Sequence, residues 1–497
     1  MFWRRIAVLF TLGLCLCGCA KEELKQIDVL FTADAEGFYW SRPEPRLQNR
    51  VAGGYAVLKN FLQKQEGNFL LFDGGSWFGT APEGALTKGT YVAELAGSLP
   101  FSVATVTDKD FIYGWPSLRG IVRELPYPFV VSNLKLDNQI PWPLHDYQIR
   151  TVDGIKIAVF GLVNPGAINK NKSRLPGLRA ENALKSAQEM TALLKEKGVD
   201  YIILLSSLGE ADASGMGDTA LAEEVEGIDL ILSSNKSREK PETEQINQTL
   251  IVYPGSKLDS VARVRLLFDK NNRFHSSQFE DIPLLKETYG EDETLASLAT
   301  ERLAATRQKM NARLSEVEQE IPHGLAQESV LGNLLADCLH RWAKLDGVVL
   351  NADSIRSSFP AGILTEYDLY KTYPYGDNIT FLTMKGRAFE QALESSLSAE
   401  DNFPQIAGFT VQYNPKAPAG KKIKRITLTN GRIVRPGETY RFAVTDHVLA
   451  GGFGHDDFID SLEFKSTFVE ARQIMRTCLI RQKKAQVPSL GRWKETK

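Results

Sequence analysis

Ile27-Asp28-Val29-Leu30-Phe31-Thr32-Ala33-Asp34-Ala35-Glu36-Gly37 is a short apolar run that ends in a polar, glycine-closed loop. A run of this length bounded by turn residues reads as a buried strand. The pattern recurs along the chain. Residues 68–72 lead into Asp73-Gly74-Gly75-Ser76, and 101–106 into Thr107-Asp108-Lys109-Asp110-Phe111. Further on, 201–205 lead into Ser206-Ser207-Leu208-Gly209, and 229–232 into Ser233-Ser234-Asn235-Lys236-Ser237. Another apolar run covers 129–132, and helical patterns at 55–65 and 183–197 separate the runs. Such alternation predicts an α/β layered domain over 27–285. Hairpins interrupt it at Asp153-Gly154 and near Asn271-Asn272. In layered α/β domains, sites gather at the carboxyl ends of strands. The five polar loops therefore predict one shared pocket.

Working outward, residues 286–320 are polar, with Leu295, Leu298, Leu303, Met310, Leu314 and Val317 at roughly helical spacing. They predict a connecting helix. A smaller α+β domain follows over 321–490, with a helix over 330–345 and strands over 347–350 and 440–444. The last seven or so residues read as a frayed tail. At the other end, Arg4 and Arg5 precede an apolar stretch too short to span a membrane, then Leu16-Cys17-Gly18-Cys19. This resembles a bacterial lipobox, with residues 1–19 as a lipoprotein signal peptide and Cys19 as the lipidated residue. An ordinary cleaved signal peptide is the alternative reading.

Composition agrees with a folded, two-domain protein. The chain has 497 residues, 43% hydrophobic and 24% charged. A formal net charge of −2 gives no basic excess and argues against a nucleic-acid partner. Beyond the leader the cysteines are Cys338 and Cys478. An oxidising compartment permits one disulfide between them; two separate buried thiols fit equally.

The order and wording of the five loops resemble the calcineurin-like metallophosphatase domain of the 5′-nucleotidase family. The resemblance continues through Glu328 to Leu334, Asn351 to Arg356, Pro374-Tyr375-Gly376, Phe403-Pro404-Gln405 and Gly451-Gly452-Phe453-Gly454. It implies an αββα layered metallophosphatase-like domain followed by a 5′-nucleotidase C-terminal domain, with rotation between them. It also implies phosphate-ester hydrolysis at a dimetal pair, where the cations activate hydroxide and neutralise phosphoryl charge.

Residue by residue, the site departs from that pattern. Asp34 is kept. The His two residues on is Glu36, and the bridging Asp is Ser76. Asp108 stands for an Asn, Lys109 for the assisting His, and Ile112 for the Asp behind it. Ser207, Asn235 and Ser237 occupy three further His positions. The whole chain has six histidines, and between 27 and 285 only His145 and His275 occur, neither in a loop. A His-rich dimetal site cannot be assembled from them, so the expectation is a pseudoenzyme with no metal cofactor and no catalytic residue. Lys109 is expected either to neutralise Asp34 or Asp108, or to face solvent. The alternative is an active phosphohydrolase whose Asp34, Glu36, Asp73 and Asp108 supply hard oxygen ligands for Mg²⁺ or Ca²⁺.

In the second domain the resemblance implies a nucleotide pocket, and about half of it is present. Asn351, Arg356 and the aromatic Tyr375 match. Leu325 replaces an Arg, His447 the second stacking aromatic, and Phe453 the ribose-binding Asp. The expected partners are a nucleotide or related small molecule, an envelope protein, and the membrane through the lipid anchor. The expected location is the cell envelope, on the periplasmic face of the outer membrane in a Gram-negative organism.

Overall fold

The structure, a computed structural model, describes residues 24–79, 81–171, 173–209, 216–234, 241–398, 402–452 and 455–496. The signal sequence with Cys19, and Asn235, Ser237 and Phe453, lie outside the described residues.

Two sheets face each other in the first domain. The seven-stranded sheet has Phe69–Asp73 at its centre, paired in parallel with Lys25–Thr32, which pairs antiparallel with Ser260–Phe268. The six-stranded sheet is centred on Leu230–Ser233 and Tyr201–Ser206, with Ile155–Leu162 beside the latter. Side chains alternate across each strand. Tyr201, Ile203 and Leu205 point into the core between the sheets, together with Ile27, Val29 and Phe31. Ile202 and Leu204 point the other way, onto the helix Ala183–Glu196. Both faces of these strands are covered, which is why the runs are continuously apolar. The seven-stranded sheet is covered on its outer side by the helices Tyr55–Gln63, Thr90–Ala96 and Trp115–Glu124. The result is four layers, αββα.

The connecting helix is shorter than the sequence suggested. It runs over Glu293–Met310, started by the Asp292 side chain, which accepts from the Leu295 amide. Leu314 and Val317 belong instead to the strand Arg313–Val317, antiparallel to Gly362–Thr365. Their three-residue spacing is that of a helix face, and only the strand pairing shows otherwise.

The second domain is built on a five-stranded mixed sheet around Thr439–Thr445. The helices Val330–Ala343 and Ala471–Gln482 pack on one face and are joined by a Cys338–Cys478 disulfide. The two thiols are bonded to each other rather than buried separately. The cross-link spans 140 positions of sequence and stabilises chiefly by restricting the unfolded chain.

The tail is not frayed. Trp493–Glu495 forms a strand parallel to Phe409–Tyr413, and Trp493 is buried. The Glu328 carboxylate accepts from the amides of Gly491, Arg492 and Trp493, at 3.0 to 3.3 Å. The Trp493 indole donates to the Pro404 carbonyl at 3.0 Å. The tail's polarity concealed a segment held by one distant carboxylate.

Candidate functional site

The loops after the strands do converge. The first and second are laced by backbone bonds: the amides of Asp34, Glu36 and Gly37 donate to the carbonyls of Gly75, Ser76 and Trp77. Holding this geometry puts Asp34, Glu36 and Ser76 at φ of 50°, 49° and 62°. That left-handed conformation is uncommon for residues with a side chain, and such outliers cluster at functional sites. A side chain at Gly74 would collide with Ala33 and Phe31 and come within 3.0 Å of Ser234. The fifth loop is thus pressed onto the second.

The third loop is joined through Asp110, a residue the sequence reading did not single out. It caps its own 3-10 turn, Asp108–Phe111, through Thr107. Its carboxylate also accepts from the amides of Ser76 and Trp77, both at 2.7 Å. Burial pushes this carboxyl up, and the backbone donors pull it down. The available signal was the Thr-x-x-Asp spacing of a capping box.

A second missed carboxylate, Asp218, ties the fourth and fifth loops. It accepts from the hydroxyls of Ser206 and Ser233, the last residues of neighbouring parallel strands. Ser207, next to Ser206, is buried.

Four acidic residues were candidate ligands. Asp34 is buried, and Lys109 Nζ lies 3.7 Å from its Oδ1. Glu36 stands beside it; burial raises its carboxyl, Lys109, Lys257 and Arg42 act to lower it, and Asp34 adds to the rise. Lys257 and Arg42 are further cations near Glu36 that the sequence did not reveal. Asp73 is fully buried and its oxygens are engaged: Oδ1 accepts from the Gly75 amide at 2.8 Å and from the Trp77 indole, Oδ2 from the Thr32 hydroxyl at 2.8 Å. Burial pushes its carboxyl up to about 7 despite these donors. Asp108 is partly exposed on the 3-10 turn.

These groups do not fit a His-rich dimetal centre. Among the described residues, no group of three or more His, Cys, Asp or Glu is placed to hold a metal ion. Lys109 puts a positive charge beside the retained Asp34, and Asp73 already serves three donors.

The matching residues of the second domain lie at the end of the strand Gly347–Asn351 and on the loops facing it. Asn351 is buried; its Oδ1 accepts from Ser354 Oγ at 2.9 Å, and its Nδ2 has no partner among the described residues. Arg356 is about half exposed and ion-paired with Asp353 at 2.5 Å. Tyr375 is half-buried, edge-on to Tyr373 with ring centroids 6.4 Å apart. His447 sits on the short helix Asp446–Leu449, its ring against Gly452, where no side chain would fit. Leu325 is engaged through its carbonyl, which accepts from the Phe403 amide at 2.7 Å. Other motif residues have structural tasks. Gln405 Oε1 accepts from the Ser329 amide at 2.9 Å, at the start of the helix that Ser329 caps.

Comparison with known proteins agrees with this layout. Residues 309–459 match the family described as "5'-nucleotidase, C-terminal domain". The 5′-nucleotidase of Vibrio cholerae is 23% identical, over 92% of this chain and 92% of its own. The trifunctional nucleotide phosphoesterase protein YfkN of Bacillus subtilis is 25% identical over 70% of this chain, which spans only 24% of that longer protein. The solved 5′-nucleotidase precursor of Thermus thermophilus superposes with a TM-score of 0.67 at 20% identity, covering 95% of this chain and 99% of that one. Residues 309–459 thus belong to the 5′-nucleotidase C-terminal domain family, and the chain as a whole is similar to 5′-nucleotidases in sequence and in its two-domain fold.

Proposed function

We propose that the protein is a ligand-binding member of this family, in which protein cations and hydrogen bonds hold the first-domain loops where the family uses metal ions. The observation that carries this is the Lys109 ammonium 3.7 Å from Asp34 Oδ1. A divalent cation on Asp34 would meet a like charge at close range. The ligand is a nucleotide or related small molecule, held by Asn351, Arg356 and Tyr375, with His447 as a further candidate contact. A planar guanidinium pairs well with phosphate oxygens, and such a ligand would draw Arg356 from Asp353. Lipidation at Cys19 would anchor the protein to the cell envelope, where an envelope protein is the other candidate partner. No described helix is long and apolar enough to cross a membrane.

The competing reading is a working phosphohydrolase with Mg²⁺ or Ca²⁺ on Asp34, Glu36, Asp73 and Asp108. It requires Asp73 to give up donors it now serves. Elemental analysis of the purified protein, with a 5′-nucleotidase assay in Mn²⁺, Zn²⁺, Mg²⁺ and Ca²⁺, separates the two. The binding reading expects neither stoichiometric metal nor turnover. Metal together with turnover would establish the hydrolase.

A further inference from the structure

Arg174 belongs to the first domain by sequence and to the second by contact. It follows the helix Pro165–Lys170, and its guanidinium enters a socket made by Asp377 and Asp446. Nη2 lies 2.6 Å from Asp446 Oδ1 and 3.1 Å from Asp377 Oδ1, while Nε donates to Asp446 Oδ2 at 2.8 Å. One carboxylate is gripped by two parallel bonds and the second by one. The side chains are nearly closed to solvent, at 11% exposed for Arg174, 8% for Asp377 and 0% for Asp446.

The socket is fixed within its own domain. Asp446 accepts from the Asn378 amide at 3.2 Å and from Asn378 Nδ2 at 3.3 Å. Asp377 accepts from the Tyr373 hydroxyl at 3.1 Å. Without Arg174, two carboxylates would be buried side by side, an arrangement a protein avoids unless a cation accompanies it. Burial and Asp446 push the Asp377 carboxyl up, and Arg174 opposes them.

The contact also sets where the two candidate half-sites meet. Tyr375 lies two residues before Asp377, and His447 follows Asp446 directly. Between them, Gly376 is pressed on the first domain: a side chain there would come within 3.1 Å of the Tyr113 ring and 3.5 Å of Ile112. Ile112 ends the turn that carries Asp108 and Lys109. A second cross-domain pair, Lys88–Glu470 at 2.6 Å, is more exposed, with Lys88 52% accessible.

We propose that Arg174 is an interdomain latch, whose seating between Asp377 and Asp446 holds the two domains in one orientation and keeps Tyr375 and Gly376 against the third loop. Arg174 is a positioning residue in this arrangement. The latch rests on no bound ligand and stands or falls apart from the binding function.

The test is the interdomain distance in the ligand-free, full-length protein. Spin labels are placed through non-cysteine handles at Lys185 and Arg435, which are 74% and 76% exposed in different domains. Pulsed electron resonance should give one narrow distribution for the parent. Arg174→Gln should broaden it or shift it, whereas Lys88→Ala should leave it unchanged. An Arg174→Gln distribution as narrow as the parent's, in protein with the parent's circular dichroism, overturns the latch. Should Arg174→Gln fail to fold, Asp446→Asn decides: it keeps the shape of the socket, removes the charge of the bidentate partner, and must broaden the distribution for the proposal to stand.

Discussion

The Asp110 carboxylate sits 2.7 Å from the Ser76 amide, so a residue of the third loop holds the backbone of the second. The same carboxylate takes the amides of Trp77 and Thr107. Asp110→Ala would leave three buried donors without a partner. Each orphaned donor costs on the order of 1–3 kcal/mol, so a loss of about 3 kcal/mol or more is expected in urea denaturation. Asp110→Asn keeps one acceptor oxygen and should lose less. Equal stability of Asp110→Ala and parent would mean that other bonds hold the second and third loops together.

Lys109 and Asp34 make the next prediction. If the ammonium occupies the role of a cation, removing it should open the carboxylates to one. Millimolar Mn²⁺ should leave the melting temperature of the parent unchanged and raise that of Lys109→Ala. Binding to the native state at about 100-fold over Kd would stabilise by roughly 2.7 kcal/mol. Parent and variant responding alike to Mn²⁺ would remove Lys109 from any part in excluding metal.

The layered fold was legible because strands buried on both faces must be apolar throughout, and their ends must then be polar. The run 27–31 and the loop Thr32–Gly37 carry that signal without help from the rest of the chain. Lys109 beside Asp34 was legible as one of two outcomes, since a Lys in an acidic loop must pair or face water. Asp110, Asp218 and Arg174 were not. Each makes its decisive bonds to residues remote in sequence, and only the assembled loops and domains show which carboxylate or guanidinium is buried. The tail failed for the same reason: nothing near Trp493 announces Glu328, 165 positions away.

Arg356 tests the second half-site. Its pair with Asp353 is partly exposed, and such pairs contribute about 0–1 kcal/mol. Arg356→Ala should therefore leave stability within about 1 kcal/mol of the parent. It should weaken nucleotide binding at least about tenfold, the equivalent of 1.4 kcal/mol. Isothermal titration with AMP measures the affinity directly. An unchanged Kd would show that nucleotides, if bound, do not use this pocket.

The anchor is tested at Cys19. Cys19→Ser should move the protein from the membrane to the soluble fraction, because a lipid chain held through that thiol is the expected attachment. Retention in the membrane pellet after a high-salt wash would sink the lipoprotein reading.

His455 provides a pH signature that the second domain alone should produce. The ring is fully buried, and its Nδ1 shares a 2.7 Å hydrogen bond with the Ser396 hydroxyl. Burial, with His447 adding to it, pushes the imidazole down to about 4. An unfolded histidine takes its proton near pH 6.5. Between those values the unfolded chain binds more protons than the folded one, so stability is complete above pH 6.5 and falls as the pH drops toward 4. Between pH 7 and pH 5 this one group should cost about 2 kcal/mol. His455→Gln keeps a polar partner for Ser396 and cannot titrate. Urea denaturation of both proteins across that range should show the parent losing stability more steeply on acidification. Parallel pH profiles would mean that His455 gains access to solvent and protonates in the folded state.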